Sequence, residues 1–167
     1  KNFPLNTELE SYLTFRGKAK GSWLLSVSPN SESFSVRTRH SFISLPDEGY
    51  KPRKFDPRAG YGAMTFYDYA SPIEDDLHVK YIRRHRLIKK YPEKEVSEAV
   101  EPIIYYLDRG VPEPVKSALL DGGAWWNEAF EAAGFKNAFQ IKVLPEGADM
   151  LDVRYNVIQW VHRSTRG

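Results

Sequence analysis

The sequence predicts an α+β fold in two units: a β-rich unit over residues 1–90 and a strand-helix-strand-strand layer over residues 91–167. Short runs of β-branched and aromatic residues, separated by turn residues, dominate the first unit. The charge also changes, because residues 1–90 hold 16 Lys and Arg against 10 Asp and Glu, whereas residues 91–167 hold 8 against 12. This change coincides with a polar stretch without apolar periodicity, which predicts a linker near residues 91–99.

Four runs in the first unit predict strands, at residues 12–15, 23–27, 34–45 and 63–69. The third run alternates between apolar and polar side chains, which is typical of a strand buried on one face. His40 belongs to its apolar set, which predicts a half-buried structural histidine. Residues 46–61 are rich in Pro, Gly and Asp and predict a long turn-rich connection.

The second unit begins with a continuous apolar run at residues 102–107, which predicts a strand covered on both faces. Apolar residues then recur at spacings of four and three over residues 113–133, which predicts an amphipathic helix. Pro114 suits its first turn, and Gly134 supplies a left-handed residue after its end.

Two further strands are predicted at residues 138–144 and 153–161. A strand, a helix and a second strand form a crossover unit, so we expect the first two strands to be parallel. Trp125 or Trp126 is expected to be buried between the helix and this sheet as an aromatic anchor.

The composition excludes several classes of chemistry. The chain has 41% hydrophobic and 28% charged residues, which is typical of a globular protein. It has no cysteine, so it cannot form disulfides, thiolate zinc sites or a cysteine nucleophile. No apolar run approaches the ~20 residues of a membrane helix, and no signal peptide is present. The net charge of +2 excludes attraction of the whole surface to nucleic acid or anionic lipid.

The histidines do not predict a metal site. His78 and His85 are seven residues apart, and no glutamate follows either of them as in an H-E-x-x-H helix. The alternation of residues 81–87 fits a strand as well as a helix. His162 is expected to be a solvated residue at a strand end. We therefore predict no metal ligand in this chain.

Residues 80–90 form the strongest charge signal, with six Lys and Arg. They could contact phosphates while Tyr81 stacks on a base, which would make the chain a nucleic-acid-binding module. The alternative is a solvated strand edge, where cations discourage aggregation. Because the overall charge is nearly balanced, we expect no nucleic-acid partner.

Carboxylate pairs and glycine-rich segments are present, but none completes an active site. Asp149 with Asp152 and Glu128 with Glu131 could act as acid and base pairs, although the two glutamates fall on the polar side of the predicted helix. The glycines at 60, 62, 122 and 123 lack the context of a phosphate-binding loop, and no serine lies in a G-x-S-x-G elbow. We therefore predict no catalytic residue, and the substrate-binding residues stay unknown.

Long stretches of the chain resemble a family of large bacterial zinc-dependent metalloproteases with a metzincin-like catalytic domain. Residues 35–42, 45–47, 49–53 and 55–61 resemble the end of the β-rich domain that precedes the protease domain. Residues 84–87, 102–108, 124–135 and 152–161 resemble the start of the protease domain itself. The resemblance covers nearly the whole chain, and its motifs are long.

The resemblance implies that the chain is a fragment of an exported zinc metallopeptidase, periplasmic or extracellular, acting on peptide or protein substrates. In this family zinc-activated water hydrolyses the peptide bond, and the zinc-binding helix follows the strand-helix-strand-strand segment. The chain is expected to stop before that helix and to be inactive alone, with zinc bound only in the full-length protein. The alternative is a noncatalytic β-rich interaction module. An unpaired sheet edge and a partly uncovered apolar face are expected either to promote self-association or to be protected by the N-terminal β-rich unit folding over them.

Overall fold

The computed structural model describes residues 1–30 and 32–162 and has a mixed α and β fold in which strands predominate. Backbone contacts divide the chain into two units. The hairpin unit comprises residues 1–44 and 145–156, and the layered unit comprises residues 45–144 and the described residues after 156. This division follows contacts rather than sequence composition, and the predicted domain boundary near residue 90 stays a prediction.

The hairpin unit is built on two long antiparallel strands, β1 (Asn6–Arg16) and β2 (Ser33–Ile43). They pair over their whole length, from Asn6 opposite Ile43 to Arg16 opposite Ser33. Both strands were predicted, but the strand predicted at residues 23–27 was wrong. That segment is a short helix, α1 (Ser22–Val27). Because β1 and β2 pair directly with each other, the connection between them has no strand partner, and it satisfies its amides locally instead.

The alternation along β2 is only partly as predicted. Phe34, Val36 and Thr38 are half-buried while the residues between them are exposed. His40 is exposed, so the prediction of a half-buried structural histidine was wrong. It lies opposite Leu9, which is itself 53% exposed, so the sheet face around this pair is open to solvent.

A polar network joins the two chain segments of the hairpin unit. The Asn6 side chain donates from Nδ2 to the Leu151 carbonyl at 2.9 Å, and its Oδ1 accepts from the Val153 amide at 3.2 Å. The same Nδ2 donates to Glu8 Oε1 at 2.7 Å, and Ser41 Oγ donates to Glu8 Oε2 at 2.7 Å. Asn6 and Glu8 are both buried. One carboxamide therefore satisfies backbone groups almost 150 residues away in sequence.

The described part of the layered unit contains three small sheets and two α-helices. In chain order its elements are β3 (Ala63–Tyr67), β4 (His78–Ile82), β5 (Ser97–Glu98), β6 (Ile103–Leu107), α2 (Val115–Ala124), α3 (Trp126–Ala132), β7 (Phe135–Lys136), β8 (Phe139–Val143) and β9 (Asn156–Ile158). β3 pairs with β4 in antiparallel orientation, and β5 pairs with β7 in parallel. The remaining strands form a sheet of order β8-β6-β9.

The predicted crossover is present, because β6 and β8 are parallel neighbours joined through α2 and α3. Their register runs from Ile103 opposite Phe139 to Leu107 opposite Val143. β9 lies on the other side of β6 and is shorter than the predicted strand at 153–161. The reason is local: Asp152 accepts hydrogen bonds from the Arg154 and Tyr155 amides through its side chain and carbonyl, respectively, and this turn delays the strand until Asn156.

The single helix predicted over residues 113–133 is two helices, separated at Trp125. The Gly122-Gly123 pair just before the break has low helix propensity, which weakens the continuation of α2. Both predicted end signals are confirmed. The Pro114 carbonyl accepts from the Ala118 amide at 3.1 Å in the first turn, and Gly134, with φ of 87°, follows the last turn.

The stretch predicted as a linker is hydrogen-bonded into the layered unit. The Lys90 amide donates to the Glu98 carbonyl and the Ser97 amide donates to the Gly134 carbonyl. Ser97 and Ala99 are buried. Composition alone could not show this, because the contacts come from backbone groups and a two-residue strand.

The apolar core lies in the layered unit. The buried hydrophobic residues among those described are Ile82, Ala99, Ile103, Leu107, Val111, Ala138 and Leu144. In the hairpin unit the buried residues are polar: Asn6, Glu8 and Asp152. The two units are therefore held together internally by different interactions, apolar packing in one and hydrogen bonds in the other.

We expect Gly123→Ala to destabilise the protein by about 1 to 3 kcal/mol, because a Cβ at Gly123 would lie 2.8 Å from Ile141 Cδ1 and 3.2 Å from Ile141 Cβ. Gly122→Ala is the matched control: a Cβ there meets no atom within 4 Å, and helix propensity should stabilise by up to about 1 kcal/mol. Urea denaturation measures both. Equal effects of the two substitutions would show that α2 does not approach β8 at Gly123.

Glu8 should make the hairpin unit sensitive to acid. Hydrogen bonds from Ser41 and Asn6 hold the pKa of the Glu8 carboxyl below its ordinary value. Its stabilisation is therefore fully present above the unfolded-state pKa of about 4.3 and is lost as the pH falls through the lower folded-state value. Thermal melts are recorded between pH 3 and pH 7 at steps of about half a pH unit. The melting temperature of Glu8→Gln should depend less on pH than that of the wild type. Glu10→Gln, at an exposed position of the same strand, is the control; an equal change in both variants would contradict the role of Glu8.

Candidate functional site

An apolar groove lies in the layered unit between α2–α3 and one face of the β8-β6-β9 sheet. Its volume is about 520 Å³, within the range of small-molecule and peptide-side-chain sites. The groove is lined by His85, Ile103, Tyr105, Leu119, Gly122, Gly123, Trp126, Phe130, Phe139, Ile141 and Ile158. All but one of these side chains are apolar, aromatic or absent, so the surface is suited to apolar contacts.

The register of β6 and β8 creates the floor of this groove. Ile103 lies opposite Phe139, and Tyr105 lies opposite Ile141, so these four side chains share one face of the sheet. The helices pack over β8, where Gly123 comes closest to Ile141. The helices do not cover the part of this face that Tyr105 and Ile158 form, and this open part is the groove.

Phe139 is the centre of the aromatic packing in the groove. Its ring lies 5.9 Å from that of Phe130 in a stacked arrangement, 5.6 Å from that of Tyr105 and 6.4 Å from that of Trp126. Trp126 nevertheless remains 59% exposed, and Trp125 is 68% exposed. The prediction of a tryptophan buried against the sheet was therefore wrong, and Phe130 is the α3 residue that stacks on Phe139 of β8.

His85 forms one wall of the groove, with its ring edge-on to Tyr105 at a centroid distance of 6.2 Å. Its neighbours Arg84 and Arg86 have partners in the 47–51 loop instead. Arg84 donates to the Lys51 carbonyl and lies over the Tyr50 ring at 5.3 Å. In an extended segment successive side chains alternate, which explains how one short run serves both the loop and the groove.

Arg86 and Asp47 form a bidentate ion pair that fixes the 47–51 loop. Arg86 Nη1 and Nη2 donate to the two Asp47 oxygens at 2.8 and 3.0 Å. Asp47 Oδ1 also accepts from the Gly49 amide at 2.9 Å. The Arg86 guanidinium holds the pKa of the Asp47 carboxyl below its ordinary value, chiefly through these hydrogen bonds. A Cβ at Gly49 would lie 3.1 Å from Asp47 Oδ1, so glycine suits this turn sterically.

The end of the basic stretch is also engaged within the protein. Lys89 Nζ donates to the Lys94 and Glu95 carbonyls at 3.1 and 2.6 Å. Lys90 lies 3.8 Å from Glu98. Together with Arg84 and Arg86, these cations contact other parts of the layered unit.

The histidines are dispersed. His78, in β4, stacks on Tyr67 at 5.1 Å, whereas His85 faces the groove and His162 is exposed beyond the end of β9. Across residues 1–30 and 32–162, no group of three or more His, Asp or Glu side chains is arranged to hold a metal ion. The side chains described here therefore do not fit a zinc site.

The carboxylates proposed as acid and base pairs have structural partners or are solvated. Asp149 accepts from Lys1 at 2.8 Å, and Asp152 accepts from Arg154 through both oxygens. Hydrogen bonds from these cations lower the pKa of both carboxyls. Glu128 and Glu131 are exposed on α3. Gly60, with φ of 68°, ends a single 3-10 turn at Pro57–Ala59 and does not precede a phosphate-binding helix.

Two features of the site were missed from the sequence. The Arg86–Asp47 pair joins residues 39 apart, and no local pattern indicates such a pairing. Phe139 was assigned to a strand without a role, although its position opposite Ile103 in a parallel pair places it at the centre of the groove. The alternation within residues 81–87 was the one signal that His85 faces a different side from its neighbours Arg84 and Arg86.

The first half of the chain matches a known protein family. Residues 1–90 match the profile of a domain of unknown function, DUF5117. The chain belongs to the DUF5117 family. A search of curated proteins and a search of solved structures each gave no match. The DUF5117 match includes β1 to β4 and the 47–51 loop, and it ends just before the strands that form the groove. Within the described part of this DUF5117 chain, no helix has the length and hydropathy needed to cross a bilayer.

We expect Trp126→Ala to destabilise the protein by roughly 1 to 2 kcal/mol, less than for a fully buried tryptophan, because more than half of the side chain is exposed. Trp125→Ala, at an even more exposed position outside the groove lining, should change stability by about 0.5 kcal/mol or less. Chemical denaturation measures the difference. A larger effect at Trp125 would mean that the other face of the helix pair carries the packing.

Proposed function

We propose that this chain is the noncatalytic front part of a zinc-dependent metallopeptidase, and that its apolar groove receives the zinc-binding helix of the parent protein. The proposal combines the sequence resemblance to exported bacterial metalloproteases with one structural observation. That observation is the open groove beside α2 and α3, on a sheet whose strand-helix-strand-strand order is the one that the resemblance implies.

Simple dimensions show that the helices leave part of this face uncovered. Neighbouring strands are about 4.8 Å apart, and a helix with its side chains is about 10 to 12 Å across, so a helix over a strand reaches about 5 to 6 Å to either side of it. Helices that pack over the edge strand β8 therefore reach β6 and leave β9, about 10 Å away, uncovered. Tyr105 and Ile158 line the resulting space, and Trp126 forms its outer rim. Burying such an apolar face is the usual way in which a sheet-and-helix layer completes its core.

The chain's own residues would serve packing rather than chemistry. The described histidines and carboxylates do not converge on one point, so we place the metal ligands and the general base on another segment of the parent protein. In this proposal Phe139, Tyr105 and Ile158 form the support for that segment. The Arg86–Asp47 pair fixes the 47–51 loop in the same unit, which limits movement of the run that contains His85.

The test compares this 167-residue chain with the full-length parent protein. We expect the parent to contain stoichiometric zinc by elemental analysis and to cleave a fluorescent casein, whereas this chain should do neither. In the parent, Trp126→Asp should lower both the melting temperature and the zinc content, because a carboxylate at the groove rim opposes apolar packing. Trp125→Asp is the matched control and should leave both unchanged.

Two results would overturn the proposal. One is an open reading frame without a zinc-binding helix downstream of residue 167. The other is a parent protein in which the Trp126 and Trp125 variants behave alike in melting temperature and zinc content, since the groove would then have no packing role.

A further inference from the structure

The β1–β2 hairpin has one charged face and one uncharged apolar face. The apolar hairpin face consists of five cross-strand pairs: Thr7 with Phe42, Leu9 with His40, Ser11 with Thr38, Leu13 with Val36, and Phe15 with Phe34. Side-chain contacts agree with this register, because Phe15 and Phe34 stack at 5.2 Å and Ser11 lies 3.0 Å from Thr38. His40 is the one titratable group among these ten residues.

Four charged residues of the opposite face, Glu8, Glu10, Arg37 and Arg39, have partners within the hairpin unit. Arg37 and Arg39 each lie 3.7 Å from Glu10, and Glu8 is bonded to Ser41 and Asn6. The segment 145–156 reaches this face through Asn6. The hairpin unit therefore covers part of its charged face and leaves its apolar face open.

The exposure of the apolar hairpin face is large. Leu9 is 53% exposed, Leu13 42%, Phe15 49% and Phe42 61%. Among the described residues, no hydrophobic side chain of the hairpin unit is buried. Because an isolated two-stranded hairpin is marginally stable in water, a surface of this kind is expected to be covered by a second layer.

We infer that the apolar hairpin face is a self-association surface, on which two copies of this chain pack face to face. A second copy fits because the face is free of carboxylates and of Lys and Arg, so a two-fold arrangement brings no like-charged pair of these side chains together. Small residues at its centre, Ser11 and Thr38, lie between the larger side chains at both ends, which allows two such faces to approach to the ~10 Å spacing of packed sheets.

The contact area of the two hairpin faces determines the affinity that we expect for the dimer. Strands of 11 residues are roughly 37 Å long, and two neighbouring strands are together roughly 10 Å wide. If each hairpin face is treated as a flat rectangle, two facing hairpins bury about 750 Å² in total. Specific interfaces start at about 1,000 Å² of accessible surface. We therefore expect a weak dimer with a dissociation constant on the order of micromolar. This inference rests on the hairpin unit alone and is independent of the proposed peptidase relationship.

Sedimentation of the purified chain over a concentration series tests the inference. We expect dimers that dissociate on dilution, and Leu13→Lys should raise the dissociation constant at least tenfold. Tyr12→Lys is the matched control, because Tyr12 is the adjacent residue, is 68% exposed and lies on the opposite face. A strictly monomeric chain would overturn the inference and would assign the face to another segment of the parent protein. Dimers that both variants weaken equally would also overturn it.

Cross-linking keeps the test decisive if Leu13→Lys fails to fold. The chain has no cysteine, so a single introduced thiol reports one position only. Ser11→Cys, at the centre of the apolar hairpin face, should form an intermolecular disulfide at least tenfold faster than Thr14→Cys on the charged face. Equal rates would contradict face-to-face packing and would favour association through the strand edges.

Discussion

The hairpin unit depends on the carboxamide of Asn6. This side chain is buried and makes three hydrogen bonds, two of them to backbone groups of the 151–153 segment. A buried amide can neither be left unpaired nor be replaced by an apolar group without orphaning its partners. Since the described part of the unit has no buried hydrophobic residue, this geometry, rather than apolar burial, determines where residues 145–156 lie on the hairpin.

The layered unit follows a different physical principle. Apart from Ser97, its buried residues among those described are aliphatic, and a glycine of α2 packs closely against Ile141 of β8. That close approach brings α2 over Ile141 of β8, and on the same face of the sheet the aromatic cluster around Phe139 packs against α3 through Phe130. The groove is thus a consequence of tight packing at Gly123, and the same contact determines how much of the sheet face remains available.

The sequence predicted the elements with clear periodicity and clear end signals, including β2, β6, β8 and the parallel crossover between the last two. It failed where the decisive contact is distant in sequence. Residues 23–27 have β propensity, but β1 already occupies the edge of β2 that a neighbouring strand would need. Trp126 has the spacing of a core residue, yet it stays 59% exposed, and Phe130 of the same helix is the residue that stacks on Phe139 of β8. Of the groove, the apolar helix face with Leu119, Gly122 and Trp126 and the position of His85 between its two arginines could be inferred locally.

Alternation explains why a strongly basic segment can line an apolar groove. In residues 84–86 the two arginines contact the 47–51 loop, and the side chain between them contacts Tyr105. A run of cations is therefore not equivalent to a basic surface, because neighbouring residues of an extended chain face opposite directions. The same rule separates the charged and apolar faces of the hairpin, where Tyr12 and Leu13 are adjacent in sequence but lie on opposite sides. Both proposals depend on which face of a helix or strand a residue occupies, and this is why each is tested with a pair of adjacent residues.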